Sequence, residues 1–237
     1  MARIKLVTFD LDNTLWNVET VIGNAERRMR AWLDERVPDF HLRFPAEVMM
    51  ELRNAVLEES PDLRHDLSTL REEILHRAIV HCGFSRGDAR SLARQAFEIF
   101  LDARHEVEFF EGALETLDAL SRQYLLGALT NGNADITRLK LDRFFRFGYS
   151  SASVGVGKPA PDMFRAALTH AGARPEEAVH VGDHLTDDVA GAGRVGMHTI
   201  WVNHDGILLP ADACEPSHTV QSLLDVPPGI VEIAARR

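Results

Sequence analysis

Four short apolar runs mark the chain, at residues 4–9, 124–130, 178–181 and 198–202. Each is of strand length and rich in Val, Leu, Ile or aromatic residues. The first three are followed at once by polar or glycine-rich residues, and helical periodicity lies between the last three. This alternation predicts a parallel sheet with helices on its faces. A further run at 147–153 is a candidate fifth strand, although Gly148 and its serines interrupt it.

Between Trp16 and Phe110 the period changes to that of helices and no strand pattern occurs. Val21, Ile22, Ala25, Met29, Trp32 and Leu33 form one apolar stripe. Val48, Met49, Leu52 and Val56 form a second, with Pro45 suited to a first turn. Leu67, Leu70, Ile74, Leu75, Ala78 and Ile79 form a third, stopped by Gly83. The fourth, Leu92 to Leu101, follows Asp88 as its N-cap. The pattern therefore predicts an α/β fold: a Rossmann-like parallel-sheet core of residues 1–16 and 111–237, carrying an inserted all-helical cap of residues 17–110. The two crossings, at 16–19 and 108–112, are candidate hinges.

Composition narrows the function classes. The 237 residues are 45% hydrophobic and 26% charged, as in ordinary soluble globular proteins. A formal net charge of −10 argues against a nucleic-acid surface, which needs basic patches. Cys82 and Cys214 are too few and too far apart for a disulfide framework, which fits a reduced, cytoplasmic setting. The N-terminal apolar run is too short for a secretion signal, and no run has the length of a membrane span.

Ligands of open parallel sheets gather beyond the carboxyl ends of the strands. There the chain places Asp10-Leu11-Asp12-Asn13-Thr14, Thr130-Asn131-Gly132 and Gly182-Asp183, with Asp187 and Asp188 just downstream. Lys158 lies in the Gly-Lys-Pro segment upstream of the third run. Two carboxylates as close as Asp10 and Asp12 need a cation, a shared proton or a solvated turn. Hard oxygen ligands from two strands suit magnesium, which often shares its shell with a substrate phosphate. Lys158, the Thr130 hydroxyl and turn amides suit the remaining phosphate oxygens. Asp10 could then attack phosphorus, with Asp12 as general acid and base.

With these residues in place, the chain resembles phosphatases of the haloacid dehalogenase superfamily, whose four motifs occur in order. Asp10, Asp12 and Thr14 match the first motif, Thr130 the second, Lys158 the third, and Gly182-Asp183 with Asp188 the fourth. The resemblance implies an aspartyl-phosphate on Asp10 and acid–base work by Asp12. It implies that Thr130 and Lys158 hold phosphoryl oxygens. It assigns Mg2+ to Asp10, Asp12 (through its carbonyl), Asp183 and Asp188, with Asp187 as the other choice at the last position. It also implies that the helical insert is a substrate-selecting cap.

The stretch from Ser60 to Leu67, together with TNGNA and VGDHLTDDVAGA, is similar to a bacterial subgroup acting on flavin mononucleotide and 5-amino-6-(5-phosphoribitylamino)uracil. On that likeness a small phosphorylated metabolite is the partner, and Thr14, Trp16, Arg64, His65, Asn131 and Gly132 are the expected substrate contacts. Trp16 reads equally as a packing anchor, and His65-Asp66 also reads as the opening of a cap helix. A sugar phosphomutase of the same superfamily and a catalytically idle partner-binding member are the alternatives.

Overall fold

Among the described residues, 3–236 of the computed structural model, six parallel strands form one sheet: β1 (Leu6–Phe9), β2 (Leu125–Thr130), β3 (Phe147–Ser150), β4 (Ala178–Gly182), β5 (His198–Val202) and β6 (His218–Val220). Their spatial order is β3-β2-β1-β4-β5-β6. All four residues of β1 are buried, as befits a central strand covered on both faces. Phe9 pairs with Ala128 on one side and Val181 on the other, so β1 ends within two residues of the ends of both neighbours. The chain runs outward from β1 through β2 to β3, then returns to place β4 on the opposite side of β1. The crevice between β1 and β4 is therefore a topological switch point, where open α/β sheets bind ligands.

The four apolar runs all form strands, and the interrupted fifth forms β3. Its serines end it: Ser150 caps a short helix by accepting from the Ser153 amide, and Ser153 returns the bond. The sequence pattern missed β6, whose three residues carry no apolar run.

Residues 18–106 form one compact unit, and 1–17 with 107–237 the other. The first is entirely helical: α1 (Val18–Asp34), α2 (Phe40–Arg43), α3 (Ala46–Glu59), α4 (Leu67–His81) and α5 (Arg86–Arg104). Val21, Ala25, Met29 and Leu33, four apart, bury one face of α1. Ala25, Met29 and Leu33 join Leu75, Ala78 and Ile79 of α4 and Ala93, Ala96, Phe97 and Phe100 of α5 in one core. Asp88 is not the N-cap of α5. Ser85 is, accepting from the Asp88 amide at 3.2 Å, while Asp88 sits in the first turn and accepts a hydrogen bond from the Ser85 hydroxyl. The four-residue α2 and a 3-10 turn at Pro61–His65 are too short to show a period.

In the sheet unit, α6 (Ala113–Ser121), α7 (Ser151–Val154), α8 (Asp162–Ala171), α9 (Gly191–Arg194) and α10 (Val226–Ala235) flank the strands. Met163, Phe164 and Ala167 of α8 and Ala192 of α9 cover Leu6, Leu129, Phe147 and Ala178. The chain leaves and re-enters this unit at adjacent points. Trp16 bridges Phe109, and the Phe110 amide donates to the Leu15 carbonyl at 2.8 Å. Both cysteines are free thiols. No helix among the described residues is long and apolar enough to cross a membrane.

Gly127 lets β2 receive the Phe147 ring: a Cβ there would lie 2.3 Å from it. Gly127→Ala should therefore destabilise the protein by about 1–3 kcal/mol through overpacking, measured by urea denaturation. An unchanged unfolding midpoint would contradict this packing.

Candidate active site

The turn after β1 is built by its own backbone. The Asp10 amide donates to the Val181 carbonyl at 2.9 Å, fixing Asp10 against β4. Asn13 takes a left-handed φ of 58°, which Asn tolerates better than most residues, and its amide donates to the Trp16 carbonyl. The turn brings Trp16 back over Asp12, so that the indole N–H donates to Asp12 Oδ1 at 2.9 Å. The ring itself is fully buried and meets Phe109 edge-on at 5.7 Å. These contacts give Trp16 the anchoring role and make it an orienting partner of Asp12.

Thr14, expected among the substrate contacts, is fully buried and bonds to the carboxylates. Its hydroxyl lies 3.2 Å from Asp10 Oδ2 and 2.9 Å from Asp183 Oδ1, and it accepts from the Asp183 amide. Asn131, another expected contact, bonds to the loop that carries Lys158. Its side chain accepts from the Lys158 amide at 2.7 Å and donates to the Lys158 carbonyl at 2.9 Å and to Asp187 Oδ2 at 3.1 Å. Its polar atoms thus hold the lysine loop in place. Thr130, at the end of β2, accepts from the Gly132 amide and keeps its hydroxyl proton to donate.

Lys158 is the centre of the cluster. Its ammonium donates to Asp10 Oδ1 and to Asp188 Oδ1, both at 2.6 Å, with the side chain 2% exposed. Asp188 comes from a single π-helical turn, Leu185–Ala190, a form that recurs at functional sites. Its Oδ2 accepts from the His184 amide at 3.0 Å, and His180 Nε2 lies 3.0 Å from Oδ1. The carboxylate sits against the backbone of Gly182, where a Cβ would be 2.3 Å from Asp188 Cγ. Asp188 joins Asp10 and Asp183, while Asp187 faces Asn131.

One ligand oxygen from each of Asp10, Asp183 and Asp188 lies within 4.8 Å of the others. Burial, opposed by Lys158 but reinforced by Asp188 and Asp183, pushes the Asp10 carboxyl well above its ordinary range. Burial and Asp188 likewise raise Asp183. Asp188 goes the other way: burial opposes its charge, yet Lys158 and His180 hold it well below the usual carboxylate range. Lys158 stays charged despite its burial because Asp10 and Asp188 face it. Three carboxylates against one ammonium leave excess negative charge in a buried pocket. All the donors are hard oxygens, the set that suits Mg2+.

Two expected contacts lie in the helical unit. Arg64 is exposed, and its Nε donates to the Pro61 carbonyl at 2.8 Å. His65 closes the same turn, and Asp66 caps α4 by accepting from the Thr69 amide. The sequence reading missed His180, and Trp201, whose indole donates to the Asp183 carbonyl at 2.8 Å. His180 was visible as one of eleven histidines, but its partner Thr8 lies 172 residues away.

Comparison with known proteins places this geometry in a family. The sequence profile of the haloacid dehalogenase-like hydrolases matches residues 4–196. The 5-amino-6-(5-phospho-D-ribitylamino)uracil phosphatase YigB of Escherichia coli is 33% identical over 85% of this chain and 84% of its own length. Human N-acylneuraminate-9-phosphatase is 29% identical over 96% and 94%. A crystal structure described as a 2-haloacid dehalogenase, from Pseudomonas syringae, is 41% identical over 98% of this chain and 99% of its own, with a TM-score of 0.92. The order of the strands, the acidic switch point and these matches agree: the chain belongs to the haloacid dehalogenase-like hydrolase family.

Proposed function

We propose that the protein is a Mg2+-dependent phosphomonoester hydrolase working through an aspartyl-phosphate on Asp10. The observation that carries this reading is Lys158 held between Asp10 and Asp188 at the switch point, with Asp183 alongside. Asp10, Asp183 and Asp188, with the Asp12 carbonyl, would hold the ion. Bound Mg2+ supplies charge neutralisation for the carboxylates and the transferring phosphoryl group.

The protein's own groups carry the rest. An Asp10 carboxylate oxygen attacks phosphorus, and the ester oxygen leaves with a proton from Asp12. Asp12, now a carboxylate oriented by the Trp16 indole, takes a proton from water as that water attacks the aspartyl-phosphate. Phosphate departs and Asp10 is regenerated. The Thr130 hydroxyl, the Lys158 ammonium and the amides of the turn at Gly132 hold the phosphoryl oxygens.

For the substrate, the 33% identity to the Escherichia coli enzyme and the Ser60–Leu67 stretch support flavin mononucleotide or the phosphoribitylamino-uracil precursor. Arg64 and His65 are then the contacts to the part beyond the phosphate. A second reading, hydrolytic dehalogenation of a 2-haloacid, is favoured by the Pseudomonas syringae relative. That reaction would use Asp10 as nucleophile without needing a proton from Asp12 or a cation.

Purified protein with Mg2+ should release phosphate from flavin mononucleotide or the precursor in preference to sugar phosphates and N-acylneuraminate 9-phosphate. Asp10→Asn should lower that rate by roughly 10³-fold or more, as loss of a covalent nucleophile does elsewhere. Halide release from 2-chloropropionate in chelator, without phosphate release from any ester, would instead establish the dehalogenase. Phosphate exchange between sugar phosphates without net release would establish a mutase.

Gly182→Ala should push Asp188 out of place and lower kcat/KM by roughly 10²-fold, the order expected of an ångström-scale displacement. The pH profile supplies a further check. Asp10 must be ionised to attack, and burial raises its folded-state pKa, so activity should fall with acid already above the ordinary carboxylate range. A cation favours the ionised form, so raising Mg2+ should move that acid limb to lower pH. A limb that ignores Mg2+ would remove the metal from this part of the site.

A further inference from the structure

His180 lies on β4 with no exposed surface, directly across from Thr8 of β1 as its parallel-strand partner. The edge of Phe164 closes the remaining side, with ring centroids 5.1 Å apart. Both ring nitrogens are engaged: Nδ1 is 2.8 Å from Thr8 Oγ1, and Nε2 is 3.0 Å from Asp188 Oδ1. An ionised carboxylate can only accept, so the proton in the second contact belongs to Nε2. In the neutral ring Nδ1 is then an acceptor, and the Thr8 hydroxyl is its donor. Thr8 has no other role visible in the site, and a buried strand position would otherwise favour Val over Thr.

We infer that His180 is a positioning residue of this site: Asp188 selects its Nε2–H tautomer, Thr8 pairs with the Nδ1 that this leaves as acceptor, and the ring so fixed holds Asp188 in the orientation that meets Lys158. Two donors then fill Asp188 Oδ1, the Lys158 ammonium and the His180 N–H. Oδ2 receives only the His184 amide and keeps acceptor capacity for a cation. His180 touches no reacting atom. Its effect passes through Asp188, in the way that outer partners of metal ligands set ligand orientation. The part of this inference that concerns a metal rests on the proposed Mg2+ site, whereas the tautomer does not.

Two measurements test it separately. Long-range 1H–15N correlation on labelled protein at pH 7 should show a neutral His180 with the proton on Nε2. A proton on Nδ1, or an imidazolium, would overturn the assignment. Binding of Mn2+ to substrate-free protein, followed by the EPR signal of the free ion, should weaken by roughly 10–100-fold in His180→Leu. His180→Gln, whose amide N–H can replace Nε2–H, should recover most of that loss. Equal affinities in wild type and His180→Leu would show that the ring only fills space, and so would a loss that Gln does not repair. If the Leu variant does not fold, Thr8→Val takes its place: it should keep the proton on Nε2 but, with Nδ1 left unpaired, hold the ring less firmly and bind Mn2+ more weakly, and an unchanged Mn2+ affinity would overturn the role. Wild type that binds no Mn2+ at all would sink both the proposed metal site and the part of His180 in it, while the tautomer result would still judge the Thr8–His180 pair.

Discussion

The Lys158 ammonium, buried between Asp10 and Asp188, is the interaction on which the site depends. Neither carboxylate would stay ionised there alone, and the lysine would not stay charged without them. Removing one member of such a buried set typically costs on the order of 3–5 kcal/mol, because the partners are left uncompensated. The neighbouring residues can be understood as what it takes to keep the ammonium in place. Asn131 grips the lysine backbone on both sides, and Gly157 makes room for it, since a Cβ there would lie 2.7 Å from Asn131 Oδ1.

Around that contact, backbone and side chains divide the work. The parallel sheet sets Asp10 and Asp183 at the ends of adjacent strands: the register pairs Phe9 with Val181, so Asp183 follows one residue beyond the position opposite Asp10. Asp188 is not on a strand, and it reaches the cluster through a wide helical turn and a glycine that lets its carboxylate lie against the sheet backbone. Buried hydroxyls complete the arrangement. Thr14 spans Asp10 and Asp183, and Thr8 supports His180, so two threonines do from within what solvent would do at an exposed acidic cluster.

Much of the fold was legible because parallel strands covered on both faces read as near-continuous apolar runs, as 4–9 and 178–181 do apart from Lys5, Thr8 and His180. The edge strand β6 was not, because a three-residue His-Thr-Val segment needs no apolar run. The residues at the strand ends were legible as a set, since carboxylates, a threonine and a lysine recur where such sheets bind ligands. Their individual roles were less so. Thr14 and Asn131 are polar residues in the right turns, but only coordinates show their atoms engaged by carboxylates and by the Lys158 backbone. Spacing alone could not separate Asp187 from Asp188, because the turn that carries them departs from the 3.6-residue period. Ser85 and Asp88 illustrate the same limit on a smaller scale, being two capping oxygens three residues apart that bond each other.

The pairing of Thr8 with His180 and of Asp10 with Lys158 has a consequence for how the protein is made. These contacts join the first strand to residues 172 and 148 positions later. Asp10 leaves the ribosome early and stays without its Lys158 partner until the chain past β4 has been synthesised and docked. Non-local parallel pairing of this kind forms slowly, after its loop-closure entropy has been overcome. The helical unit, complete by Glu106, has no such wait. The acidic centre is thus a late product of folding, absent from any N-terminal fragment that stops short of Asp188, however well that fragment is structured.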